Sequence, residues 1–293
     1  MSSKTKILFP TEFGPLGEKA KDNAVHLAKI YDATLVLLHA INLPSGITKF
    51  FSNVSEDELR KKALGELEKH KQQIDPNGEL DILTMVSIGE PENSIVEVAK
   101  DIDAGLVIFG TKGGSGLRDT LLGSAVNHVI RHAPCPVITI RNKPEYVGFK
   151  HILVPVDLSQ EAGEKVRWGI NLAAKYSASL TFFSVLSGTP SEVKKLEGRL
   201  RSSLEMAKSK GVEANAHEQV TEKSIPDAIL DYADKVDADL ICIMTQAESE
   251  AGLRTTLLGS VADRLVNISQ RPVMSIRPER HYRSKGWQSA HFT

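Results

Sequence analysis

At 293 residues the chain is long for one ordinary domain and comfortable for two of about 140 to 150, each large enough to bury a core without staples. Its 36 basic and 37 acidic residues leave a net charge of -1, so no whole-chain field draws it to nucleic acid or anionic lipid. Only two cysteines occur, Cys135 between Pro134 and Pro136 and Cys242 inside the apolar run LICIM; a disulfide framework is excluded and both read as core filler.

The opening MSSKTKILFPTEF lacks a long apolar run, and no later stretch approaches the roughly 20 apolar residues that span a bilayer, so a soluble, cytoplasmic protein is expected. Short apolar runs alternate with longer helical stretches, the pattern of strands buried on both faces and crossed over by helices. In the first half strands are predicted near Lys6 to Pro10, Thr34 to Ala40, Asp81 to Ser87, Leu106 to Gly110 and Val137 to Arg141. A helix starting near Ser55 carries a capping box with Glu58. In the second half Thr189 and Glu192 repeat that device, with Pro190 in the first helical turn and Gly211 as the stop.

The two halves are one pattern written twice. KILFPTEF from Lys6 sets Pro10 and Glu12 opposite Pro155 and Asp157 of HILVPVDL from His151. LAKIYDATL from Leu27 matches LAAKYSASL from Leu172, and DAGLVIFGT from Asp103 matches DADLICIMT from Asp237. With right-handed crossovers, each half is predicted to be an α/β domain with an open, doubly wound, Rossmann-like sheet of five mainly parallel strands and helices on both faces. The expected organisation is a first domain over residues 1–143, a linker in NKPEYVGFK, a second domain over 149–279, and a polar tail over 280–293.

GTKGGSGLRDTLLGS, Gly110 to Ser124, holds five glycines in fifteen residues between a predicted strand and a helix whose inward face is Val126, Val129 and Ile130. In a doubly wound sheet, ligands bind outside the carboxyl ends of the strands, where helix N-termini offer free N–H groups. Gly110, Gly113, Gly114 and Gly116 are suited to let several N–H groups converge on one anion, by positive φ angles and missing Cβ atoms. The first helical turn would add its own N–H groups and the Ser124 hydroxyl. The spacing is neither a Walker A loop nor a G-x-G-x-x-G turn; it is G-x2-G-x9-G-S, through Gly110, Gly113, Gly123 and Ser124.

With this spacing, the openings ILFPTEF and ILVPVDLS, the segment VSIGEPENSIVEVA and the closing strand PCPVITIR, nearly the whole chain resembles the universal stress protein family, in particular tandem members with a nucleotide-binding first domain. The resemblance implies that Gly110, Gly113, Gly123 and Ser124 hold the phosphates of ATP, with or without Mg2+, and that Pro10, Thr11 and Glu12 line the ribose and adenine side. The family usually has Asp where this chain has Glu12. Ala40, Ile41, Ile88 and Gly89 are expected as adenine-side walls, and Lys112 and Ala125 complete the candidate set. The resemblance also suggests that the fifth strands pair with each other, making the halves a pseudo-dimer, and leaves homodimerisation open.

The second half departs from this pattern. Met244 takes the place of Gly110, Lys223 that of Gly89, and Glu248 and Glu250 lie where a triphosphate needs donors, a repulsion of several kcal/mol in a poorly solvated cleft. Asp157 keeps the ribose-side acid, but with the phosphate cradle lost no ordinary ATP site is expected there. GLRDTLLGS and GLRTTLLGS differ at one of nine positions although only the first follows an intact cradle. Phosphate contact is therefore preferred for Gly123 and Ser124, and a folding role for Gly259 and Ser260.

Arg118 and Arg254 could reach phosphates, but an arginine in such a stretch is more often a solvated or paired charge, and Lys112 has the same two readings. His128 and His132 form the one helical i, i+4 histidine pair, with no Cys or acid to complete a metal set, and no Gly-x-Ser-x-Gly elbow marks a hydrolase. The tail residues Tyr282, Arg283, Lys285 and Trp287 fit docking on the protein itself better than nucleic-acid binding. Binding of ATP as a stress-response signal to protein partners is thus favoured over catalysis. The alternatives are an interaction scaffold that binds no nucleotide, and a slow ATPase or self-phosphorylating protein.

Overall fold

The computed structural model describes residues 4–42, 55–111, 124–141, 147–186, 188–245 and 260–278. The chain divides into two compact units, whose described residues run to Arg141 in the first and from Val147 in the second.

In the first unit the elements run β1 (Lys6–Pro10), α1 (Pro15–Ile30), β2 (Thr34–Ile41), α2 (Glu56–Ile74), β3 (Ile82–Ile88), α3 (Pro91–Asp101), β4 (Ala104–Gly110), α4 (Ser124–His132) and β5 (Val137–Ile140). The sheet order is β3-β2-β1-β4-β5, and every neighbouring pair is parallel. The second unit repeats this with β6 (His151–Pro155), α5 (Ala162–Tyr176), β7 (Ser179–Val185), α6 (Pro190–Ser209), β8 (Ala214–Gln219), α7 (Ile225–Lys235), β9 (Leu240–Met244), α8 (Ser260–Ile268) and β10 (Val273–Ile276). Its order is β8-β7-β6-β9-β10, again parallel throughout.

The apolar runs become strands because helices cover both faces: Ile7, Leu8 and Phe9 of β1 and Leu106, Val107 and Ile108 of β4 are all sealed from solvent. The outer strand β8, ANAHEQ, is instead largely exposed and polar. Both predicted capping boxes form. Glu58 N donates to Ser55 Oγ at 3.2 Å while Ser55 N donates to Glu58 Oε2 at 3.1 Å, and Thr189 and Glu192 do the same at the head of α6. Gly211, at φ 70°, ends that helix.

Cys135 and Cys242 are buried in the two cores. Burial pushes both thiols up, Cys242 to about 12, so neither is a thiolate at neutral pH. Among the described residues no helix is long and apolar enough to cross a membrane.

Candidate functional site

In the first unit the chain moves from β1 outward to β2 and β3, then returns to β4 on the other side of β1. The carboxyl ends of β1 and β4 therefore flank the point where the winding reverses, the place where a doubly wound sheet leaves a crevice for ligands. Pro10, Thr11 and Glu12 stand on its β1 side, Gly110 and Thr111 on its β4 side.

Thr11 is 4% exposed and holds the turn after β1 with three bonds. Its N–H donates to Leu38 O at 2.8 Å, its carbonyl accepts from His39 Nδ1 at 2.9 Å, and its hydroxyl oxygen accepts from Phe13 N at 3.2 Å. That last bond ties down Phe13, which sits at φ 58°, where a bulky residue is disfavoured; its ring also stacks on His39 at 4.5 Å. The first turn of α1 closes over the same hydroxyl, so a Cβ on Gly17 would lie 2.9 Å from Thr11 Oγ1. Glu12, between Thr11 and Phe13, is exposed, and its carboxylate makes no hydrogen bond or ion pair among the described residues.

Thr11→Val removes the acceptor of the Phe13 N–H inside a buried turn. The expected cost is about 1 kcal/mol in urea unfolding, with some threefold to tenfold loss of any ligand affinity that depends on the placement of Glu12.

On the other flank of β1, Ala40 and Ile41 end β2 half-buried beside Ile88, the last residue of β3. Gly89 N donates to Ile41 O at 3.0 Å. Gly89 sits at φ 146°, which only glycine adopts readily, and Ser94 Oγ, itself the acceptor of a 3.0 Å bond from Ser87, would lie 3.4 Å from a Cβ there. The structure thus brings Ala40, Ile41, Ile88 and Gly89 together at one edge of the same carboxyl face.

Gly110 departs from expectation. It is the last strand residue of β4, in register with Ile140, and the glycines with positive φ among the described residues are Gly78, Gly89, Gly148, Gly188 and Gly211. What Gly110 contributes is an open backbone at the strand end, because ladder pairing holds it extended. Lys112, Gly113 and Gly123, with Gly114 and Gly116, lie outside the described residues. Ser124 opens α4 and Ala125 follows it, half-buried. Val129 and Ile130 face the core as predicted, whereas Val126 is only half-buried.

The second unit builds the same corner differently. Val156, in the place of Thr11, donates its N–H to Phe183 O at 2.8 Å and its carbonyl accepts from Ser184 Oγ at 2.8 Å, but it has no hydroxyl to secure the next turn. The acid does that work. Asp157 Oδ1 accepts from Ser159 N at 2.9 Å and from Ser159 Oγ, while Oδ2 accepts from Lys165 Nζ at 3.3 Å. Burial alone would raise the Asp157 carboxyl, but the Lys165 charge and the Ser159 donors outweigh it and hold the group below the usual carboxylate range. Arg199 braces the loop, donating to Asp157 O at 2.8 Å and to Ser159 O. At the end of β9, Met244 pairs in register with Ile276 where the first unit has Gly110 and Ile140.

Sequence reasoning marked Glu12 and Asp157 as equivalent acids, and it missed Lys165 and the positioning part played by Thr11. The available signal was the Thr11 to Val156 exchange directly before the acid, together with Ser159 two residues after Asp157.

The sequence profile of the universal stress protein family matches twice, over residues 4–141 and 148–277. The chain belongs to the universal stress protein family. Among curated relatives, this universal stress protein is 32% identical to universal stress protein YxiE of Bacillus subtilis over 146 residues, which are 46% of this chain and 98% of that protein. It is also 32% identical to universal stress protein MJ0531 of Methanocaldococcus jannaschii over 147 residues, 48% of this chain and 83% of the relative. A single-length relative therefore aligns with about one of the two units. The crystal structure of a universal stress protein from Archaeoglobus fulgidus covers 93% of this chain and 98% of its own, with a TM-score of 0.76 at 22% identity, which establishes the shared fold of the whole tandem chain.

Proposed function

We propose that this universal stress protein binds ATP in its first unit and that occupancy of that site, rather than turnover, is its signal to protein partners. The observation that carries the reading is the Glu12 carboxylate in the turn after β1, at the winding reversal, exposed and with no hydrogen bond or ion pair among the described residues. An exposed carboxylate in that position is suited to accept from ribose hydroxyls. Pro10 and Thr11 set its place, and Ala40, Ile41 and Gly89 wall the base. Gly110, Gly113, Gly123, Ser124 and Ala125 present backbone N–H groups to the phosphates, with Lys112 as a flanking cation. Bound ATP would supply a polyanion for those amides to gather around, with or without Mg2+.

The direct test is mass spectrometry of protein purified without added nucleotide, followed by equilibrium titration with ATP. The expected result is co-purified adenine nucleotide and saturable binding at one site per chain. Phosphate release with magnesium well above that of a Gly113→Asp control would count against a binding-only role.

A further inference from the structure

We propose that Lys165 closes the second unit's crevice to ribose-bearing ligands, by occupying with its own ammonium the acceptor that such a ligand would need on Asp157. The inference rests on the reading of the β1/β4 corner as ribose-facing, and extends it to the β6/β9 corner.

In the register that sets Leu27 beside Leu172, Lys165 stands where the first unit has Ala20, a residue with no exposure at all. An alanine there packs against the sheet and leaves the acid of its corner alone. The lysine stem is as deeply buried, 4% exposed, yet it ends in a charge, and a buried ammonium needs an acceptor. Among the described residues Asp157 Oδ2 is that acceptor, at 3.3 Å. Asp157 is 59% exposed at its side chain, so it reaches the mouth of the crevice while Lys165 approaches from beneath. Nearness of the ammonium to the end of β9 is also felt at Cys242, whose thiol burial raises and the Lys165 charge lowers.

The two corners thus differ in which residue holds the turn and which is left over. In the first, the Thr11 hydroxyl secures the Phe13 N–H and the Glu12 carboxylate has no partner among the described residues. In the second, Val156 cannot, so Asp157 takes Ser159 on one oxygen and Lys165 on the other. Ser159 takes both acceptor sites of Oδ1 and the ammonium one of the two on Oδ2, so a ribose diol, which needs two acceptors, would have to replace the charge-assisted bond with one from a neutral hydroxyl, an exchange that disfavours binding. Lys165 is accordingly a positioning and excluding residue, acting through Asp157.

The test uses the full chain and adenosine, which needs no phosphate cradle, with amide chemical shifts read separately in the two units. In the native protein, adenosine moves the amides of Glu12 and Gly89 and leaves those of Val156 and Ser159 still. Lys165→Ala, which installs the first unit's residue, and Lys165→Met, which keeps the buried volume without the charge, each raise adenosine affinity at Val156 and Ser159 at least about tenfold. Adding Asp157→Asn to Lys165→Met removes that gain. If Lys165→Ala loses amide dispersion, Lys165→Met alone decides. Movement of Val156 and Ser159 in the native chain at the concentrations that move Glu12 overturns the inference, as does a folded Lys165→Met whose second-unit amides stay still. Silence at Glu12 and Gly89 in every variant sinks the proposed function instead, and is read independently of the second-unit signals.

Discussion

Gly113→Asp is expected to weaken ATP binding by at least about 100-fold, measured by isothermal titration against the native chain. The substitution adds a carboxylate to the stretch of sequence between β4, which ends at Gly110, and α4, which begins at Ser124. Unit charges about 4 Å apart at an effective dielectric near 20 interact by roughly 4 kcal/mol. Even after about a third of that is lost to screening and relaxation, roughly 2.7 kcal/mol remains, which corresponds to about 100-fold. A neutral Gly113→Ala separates charge from shape and should lose less. Equal binding by the native chain and Gly113→Asp, or binding by neither, would falsify the nucleotide reading of the first unit.

A second large effect concerns the second unit's core. On α5, a Cβ at Gly169 would lie 2.6 Å from Val154 Cγ2 of β6 and 3.8 Å from Leu180 Cδ2 of β7. Helix and sheet approach so closely there that hydrogen is the only side chain that fits in place. Gly169→Val is expected to cost about 2 to 3 kcal/mol, because overpacking a dense core forces off-rotamer side chains or moves the helix, and valine gains little helix propensity over glycine. Val154→Ala removes the clashing methyl and returns most of the lost volume. The double variant Gly169→Val/Val154→Ala should therefore be more stable than Gly169→Val alone, with a favourable coupling of about 1 to 2 kcal/mol in a double-mutant cycle from urea unfolding. Additive losses would mean that the helix had already shifted and that the contact is not the limiting one. Because Lys165 lies one helical turn before Gly169, movement of α5 should also disturb the Asp157–Lys165 bond, visible at the Ser159 amide.

Much of the fold was legible because the repeated apolar runs have one stable arrangement. Runs such as LVIF and LICI, with no polar alternation, need cover on both faces, and the long polar stretches between them are the right length for crossover helices. The predicted strands agree with β1 to β5 to within one or two residues, and the capping boxes at Ser55 and Thr189 form where their spacing placed them. These features depend on interactions within a few residues, which sequence spacing encodes directly. The glycine string was equally visible, although its middle lies outside the described residues, and Gly110 proved to serve as an extended strand end.

The sequence by itself determined that this protein is two copies of a parallel α/β domain of the universal stress protein family, with a glycine-rich string only in the first, because periodicity and motif spacing are local quantities. Tertiary structure alone decided that, among the described residues, Asp157 is committed to Ser159 and Lys165 while Glu12 has no side-chain partner. That distinction depends on where Thr11, Ser159 and the buried Lys165 ammonium come to lie after the helices pack, and two chemically similar acids at matching positions carry no trace of it in their own identity.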